Sequence, residues 1–163
     1  MKGALKVASV LTWFNLVVWG FVSAIALLGA LVMGPVVLVV VVFLSAIPLN
    51  CYAALQLHKS IRRPVVKLSH QTPVGIRFIG YVSLFLGLSM VSSELSNLQN
   101  PGRAIQMMKE SFSGMKGAEW LTVDNVRLLS VVGLVLGLAV VINVILNFRL
   151  LRWYYLVHQS DAS

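Results

Sequence analysis

The chain carries no charged residue from Val7 to His58; Lys6 precedes this run and Lys59 follows it. As one helix the run would reach roughly 78 Å at about 1.5 Å per residue. The hydrocarbon core of a bilayer is only about 30 Å thick. The run therefore has to cross a membrane, turn and return, and Gly34-Pro35 near its middle supplies the turn.

Composition agrees. The chain is 58% hydrophobic and 11% charged, where a soluble domain carries about 25% charged residues. Its 163 residues make one membrane domain, with aqueous parts too short for a separate core. A single cysteine, Cys51, excludes an internal disulfide. The first apolar segment is too long for a cleavable signal and reads as a retained span.

Two further uncharged stretches follow, one between Arg77 and Glu94 and one between Arg127 and Arg149. The expected spans are about 8–33, 35–58, 76–95 and 127–148, with a cytoplasmic loop 59–75 and an outer loop 96–126. In lipid the backbone must satisfy its own hydrogen bonds, so each span is a helix or part of a closed barrel. Continuous apolar runs exclude the alternation of a barrel strand. The fold expected is all-α: an integral membrane bundle of four transmembrane helices.

Orientation follows from Lys and Arg. One side holds Lys2, Lys6, Lys59, Arg62, Arg63, Lys67, Arg77, Arg149 and Arg152, with Asp161 the only acid. The other holds Arg103, Lys109, Lys116 and Arg127, balanced by Glu94, Glu110, Glu119 and Asp124. The net charge of +8 lies on the first side, which is expected to be cytoplasmic together with both termini. This basicity reads as insertion topology and contact with anionic lipid, and no nucleic-acid partner is expected. Trp13, Tyr52, Trp153, Tyr154 and Tyr155 on the cytoplasmic side, and Phe112 and Trp120 on the outer side, read as interface anchors.

Each span carries a stripe of small or polar residues. They are Asn15, Trp19, Ser23, Ala26 and Ala30 in the first and Ala46, Asn50 and Ala53 in the second. Gly80, Ser83 and Gly87 mark the third, and Ser130, Gly133 and Gly137 the fourth. Gly80, Gly87, Gly133 and Gly137 are candidate helix-packing positions, serving either the bundle or another membrane subunit. Pro48 is expected to kink the second span.

Glu94, Ser93, Asn50, Asn143 and Asn147 form a candidate intramembrane polar site. Glu94 is the only acid between Lys6 and Glu110, and Ser89, Ser92, Ser93 and Ser96 surround it in sequence. A carboxylate with hydroxyls suits a proton or cation site, and an ionisable residue on a span is a functional candidate. A bland alternative is that the span ends there, with Arg103 or Arg127 as partner. Asn143 and Asn147 lie one turn apart, where Asn50 and Asn15 could meet them in a polar clasp.

In the outer loop, Pro101-Gly102 opens a helical pattern. Ile105, Met108, Phe112 and Met115 share one apolar face of a short amphipathic helix, a candidate outer partner surface. Gly114 and Gly117 end it, and Thr122 or Asp124 caps the fourth span. The cytoplasmic loop holds His58, Lys59, Arg62, Arg63, Lys67 and His70, with Arg63-Pro64 ending the helix before it.

The segment Asn50–Lys59 faintly repeats as Asn143–Arg152 in parallel orientation, unlike the inverted repeats of many transporters. Ala46-Ile47-Pro48, the basic loop and Leu121-Thr122-Val123-Asp124-Asn125-Val126-Arg127 resemble a broad group of uncharacterised bacterial four-helix integral membrane proteins. The resemblance implies the fold and carries no site residue across. The ending Arg152-Trp153-Tyr154-Tyr155 departs from the more acidic tail expected in that group.

No paired metal-ligand motif, phosphate-binding loop or nucleophile elbow is present, so no enzyme, metal or cofactor is expected. The leading expectation is a non-catalytic accessory or scaffold subunit of a larger inner-membrane complex, in contact with the bilayer and with other membrane subunits or its own copies. The alternatives are an oligomeric small-solute or ion transporter using Glu94, and a sensor signalling through Arg62 and Arg63.

Overall fold

The structure is a computed structural model that describes residues 2–33, 35–63, 68–69, 71–111 and 122–160. These residues form five helices: α1 (Lys2–Met33), α2 (Pro35–Arg62), α3 (Gln71–Gln99), α4 (Pro101–Ser111) and α5 (Val123–Ser160). The chain is all-helical, and α1, α2, α3 and α5 are long and apolar enough to cross a membrane. Gly34 of the expected turn lies outside the described residues. α2 runs unbroken through Pro48 and ends at Arg62, where the Arg63 amide still donates to the Lys59 carbonyl (2.9 Å).

The helices outrun the uncharged stretches. α5 continues to Ser160, well past Arg149. The reason lies in its apolar positions: Leu150, Leu151 and Tyr154 are buried against Ala8, Leu57 and Ile76. Tyr154 is therefore a core residue, whereas Trp13 and Tyr52 are exposed.

Packing divides the chain into two compact units, residues 1–85 with 139–163 and residues 86–138. In the first unit, the start of α1, the end of α2, the start of α3 and the end of α5 meet in the Ala8–Tyr154 cluster. The expected α1 stripe lies on a buried face: Asn15, Trp19 and Ala30 are buried, with Ser23 and Ala26 half-buried, and the buried Ala8 and Thr12 extend that face toward the start of the helix. The faint repeat proves to be a repeat of buried phase. Asn50, Cys51, Ala54, Leu57 and His58 are buried, and so are Asn143, Val144, Asn147, Leu150 and Leu151 at the matching positions.

Gly80 lets α3 and α5 approach in this unit. A methyl group on it would meet the Phe148 ring at 2.6 Å and Asn50 Oδ1 at 3.4 Å. Ser83 Oγ is turned inward, donating to the Ala46 carbonyl (3.1 Å) or to the Ile79 carbonyl (2.9 Å).

The second unit joins the end of α3, α4 and the start of α5. Gly137 packs on Gly87 and Val91, and Gly133 packs under Glu94. Thr122 caps α5: its Oγ1 accepts from the Asn125 amide (3.3 Å), and its carbonyl accepts from the Val126 amide (3.0 Å). Ala104 and Val126 are buried against each other, with Ile105 and Met108 packed alongside. Those two members of the expected outer surface thus serve the unit's own core. Phe112 and Met115 lie outside the described residues, as do Trp120, Gly114, Gly117 and His70.

Candidate functional site

Apolar surroundings offer no hydrogen bonds, so buried polar side chains on apolar helices turn toward each other. In the first unit this brings together Thr12 of α1, Cys51 and His58 of α2, and Asn143 and Asn147 of α5, all buried. Asn143 is the hub. Its Oδ1 accepts from Thr12 Oγ1 (2.8 Å) and from Asn147 Nδ2 (3.2 Å). Its Nδ2 donates to Cys51 Sγ (3.6 Å). Asn147 Oδ1 in turn lies 2.9 Å from His58 Nε2. An amide oxygen only accepts, so in this arrangement Nε2 carries the imidazole proton.

The chain therefore runs from His58 through Asn147 and Asn143 to Thr12, crossing α2, α5 and α1. Asn15 adds a second tie between α1 and α5, its Nδ2 donating to the Ala139 carbonyl (3.1 Å). Among the described residues, five buried polar atoms have no protein partner: Asn15 Oδ1, Trp19 Nε1, Ser23 Oγ, Asn50 Oδ1 and His58 Nδ1. The first three follow α1 at one-turn intervals.

His58 also lines a cleft of about 350 Å³ with Ser9, Trp13, Lys59, Arg62 and Arg63. There the Arg62 guanidinium donates to Ser9 Oγ (3.0 Å) and ties the end of α2 to α1.

The expected site residues thus part company. Asn143 and Asn147 belong to the network. Asn50 faces Gly80 of α3 and is not bonded to either of them. Glu94 lies in the second unit, half-buried over Gly133, with its Oε2 accepting from Asn97 Nδ2 (3.2 Å). Its hydrogen-bond partner is Asn97, not Arg103 or Arg127. Ser89, Ser92, Ser93 and Ser96 are exposed, so the neighbouring hydroxyls do not gather around the carboxylate.

No family model, curated protein or solved structure matches this chain. Its chemistry has to be read from its own residues. Among the described residues, no three His, Cys, Asp or Glu side chains come together as metal ligands.

Sequence reasoning missed Thr12, Cys51 and His58 as network members. His58 reads as the first residue of a basic loop, yet it is only 2% exposed. The signal was its spacing, seven residues after Cys51 and four after Ala54, which keeps it on the inward face of α2.

Proposed function

We propose that the protein is a non-catalytic, multi-pass membrane protein, a small accessory or scaffold subunit of a larger inner-membrane assembly, with both termini cytoplasmic. The mutual pairing of Thr12, Asn143 and Asn147 carries this reading. A transport path or catalytic centre has to offer its polar groups to a substrate, whereas Thr12, Asn143 and Asn147 direct theirs to one another. Such a lock holds three helices in one register and leaves their outer faces to lipid and to neighbouring subunits.

Two further features support it. Glu94, on which a transport reading depends, packs on Gly133 and bonds its own helix. The outward faces of α1 and α3 are large and apolar, with Val10, Val17, Phe21, Phe78 and Phe85 exposed. The topology rests on the excess of Lys and Arg at the ends of α2 and α5 and the start of α3.

Extraction of native membranes in mild detergent followed by native mass spectrometry tests the reading. The protein is expected to emerge bound to other subunits. Emergence as a lone chain or a pure homo-oligomer overturns the subunit assignment.

A further inference from the structure

Between α3 and α5 the first unit opens a groove of about 610 Å³. This is within the usual size of a small-molecule site, about 300–1,000 Å³. Arg77 and Tyr81 line it from α3, and Phe148, Arg152, Tyr155 and Leu156 from α5.

The groove is graded along its length. Tyr81 lies one turn beyond Arg77 toward the middle of α3, and Phe148 lies one turn before Arg152 toward the middle of α5. Four residues of helix amount to about 6 Å. Both helices therefore set a guanidinium toward the end of the unit and an aromatic ring one turn deeper. The two rings pack on each other, with centroids 5.1 Å apart.

Among the described residues of this unit the two cations have no acidic counter-charge. The described residues of this unit include Lys59, Arg62, Arg63, Arg77, Arg149 and Arg152 but no Asp or Glu. Arg77 is held instead by an aromatic face, its guanidinium carbon 5.6 Å from the centre of the Tyr155 ring. A cation–π contact does not consume the guanidinium N–H donors, the groups that match phosphate oxygens.

We propose that this groove binds an anionic phospholipid, with its phosphate held by Arg77 and Arg152 and its acyl chains against Tyr81 and Phe148. A free phosphate shares the oxyanion chemistry but has nothing to place against the rings, so the lipid is the source assigned. Basic pockets between membrane helices are a recognised setting for such headgroups. The inference rests on the reading of α3 and α5 as membrane spans and goes beyond the subunit role.

The test uses the purified full-length protein in detergent, titrated with dioleoylphosphatidylglycerol, with dioleoylphosphatidylcholine and with inorganic phosphate, with adducts counted by native mass spectrometry. Phosphatidylglycerol is expected to bind in preference to phosphatidylcholine and to resist displacement by phosphate. Replacing both Arg77 and Arg152 with Gln is expected to weaken phosphatidylglycerol about tenfold, equivalent to about 1.4 kcal/mol. The charge-matched pair Arg63→Gln and Arg149→Gln, outside the groove, should leave binding within about twofold, or about 0.4 kcal/mol.

Equal binding of the two lipids overturns the proposal without any variant, which covers the case in which the groove variant fails to fold. Equal loss in the two double variants overturns it as general charge attraction. Displacement by inorganic phosphate reassigns the groove to free anions. Release of the protein from native membranes by alkaline carbonate instead breaks the membrane reading itself, a separate failure.

Discussion

His58 Nε2 and Asn147 Oδ1 lie 2.9 Å apart in the interior of the first unit, joining residues separated by 89 positions in the chain. The pair ties the end of α2 to α5, and both side chains are buried. Within a membrane helix pair such a contact contributes about 0.6 kcal/mol on average and up to about 1.7. A double-mutant cycle with His58→Leu and Asn147→Leu, read from unfolding in mixed detergent, should give a coupling in that range. A coupling indistinguishable from zero removes the pair as a tie.

Asn143 should matter more than either end of the chain. Asn143→Ala leaves the Thr12 hydroxyl and the Asn147 amide without an acceptor and Cys51 without its donor. Each buried group so orphaned costs about 1–3 kcal/mol. Cys51, the only cysteine and fully buried, reports the outcome directly. Its alkylation by a maleimide should be slow in the native protein and much faster in Asn143→Ala. Equal rates would mean that the network does not hold α2 against α5.

Gly133 and Gly137 have the same spacing motif but different neighbours. A methyl group at Gly137 meets Val91 Cγ2 at 3.0 Å and, behind it, backbone: the Gly87 carbonyl oxygen and the Val91 nitrogen, each at 3.3 Å, which yield only if the helices shift apart. Gly137→Ala should cost about 1–3 kcal/mol, the usual range for overpacking. At Gly133 the clash is with the end of the Glu94 side chain, at 2.8 Å, which can swing away. Gly133→Ala should therefore be milder, and Glu94→Ala should relieve it. Thermal unfolding of the four variants tests the order; a Gly133→Ala cost unaffected by Glu94→Ala contradicts the packing described.

Glu94→Gln separates the subunit role from transport. The amide keeps an oxygen for Asn97 Nδ2, so the fold and any assembly seen by native mass spectrometry should be unchanged. Solute flux in proteoliposomes that is present in the native protein and lost in this variant would replace the subunit reading with the transport one.

Much of the site was half-legible. The stripe from Asn15 to Ala30 was readable because a helix repeats its face every three or four residues, whatever it packs against. Thr12 continues that stripe three residues earlier but was hidden by its mild polarity, and His58 was hidden by the charges that follow it. Asn50 was readable as inward-facing, yet its neighbour was not, because the same inward stripe could meet any of three other helices.

The uncharged run from Val7 to His58 and the two later ones determined on their own that the chain is helical, with four segments able to span a membrane. That follows from peptide groups that hydrocarbon cannot satisfy, a constraint local to each segment. Only the tertiary structure decided that Gly80, Gly87, Gly133 and Gly137 serve the protein's own helix contacts, that Glu94 rests on Gly133, and that Asn143 joins Thr12 to Cys51. Those outcomes depend on which faces meet and at what height. Small residues and amides permit many such meetings, and the packing of whole helices selects one.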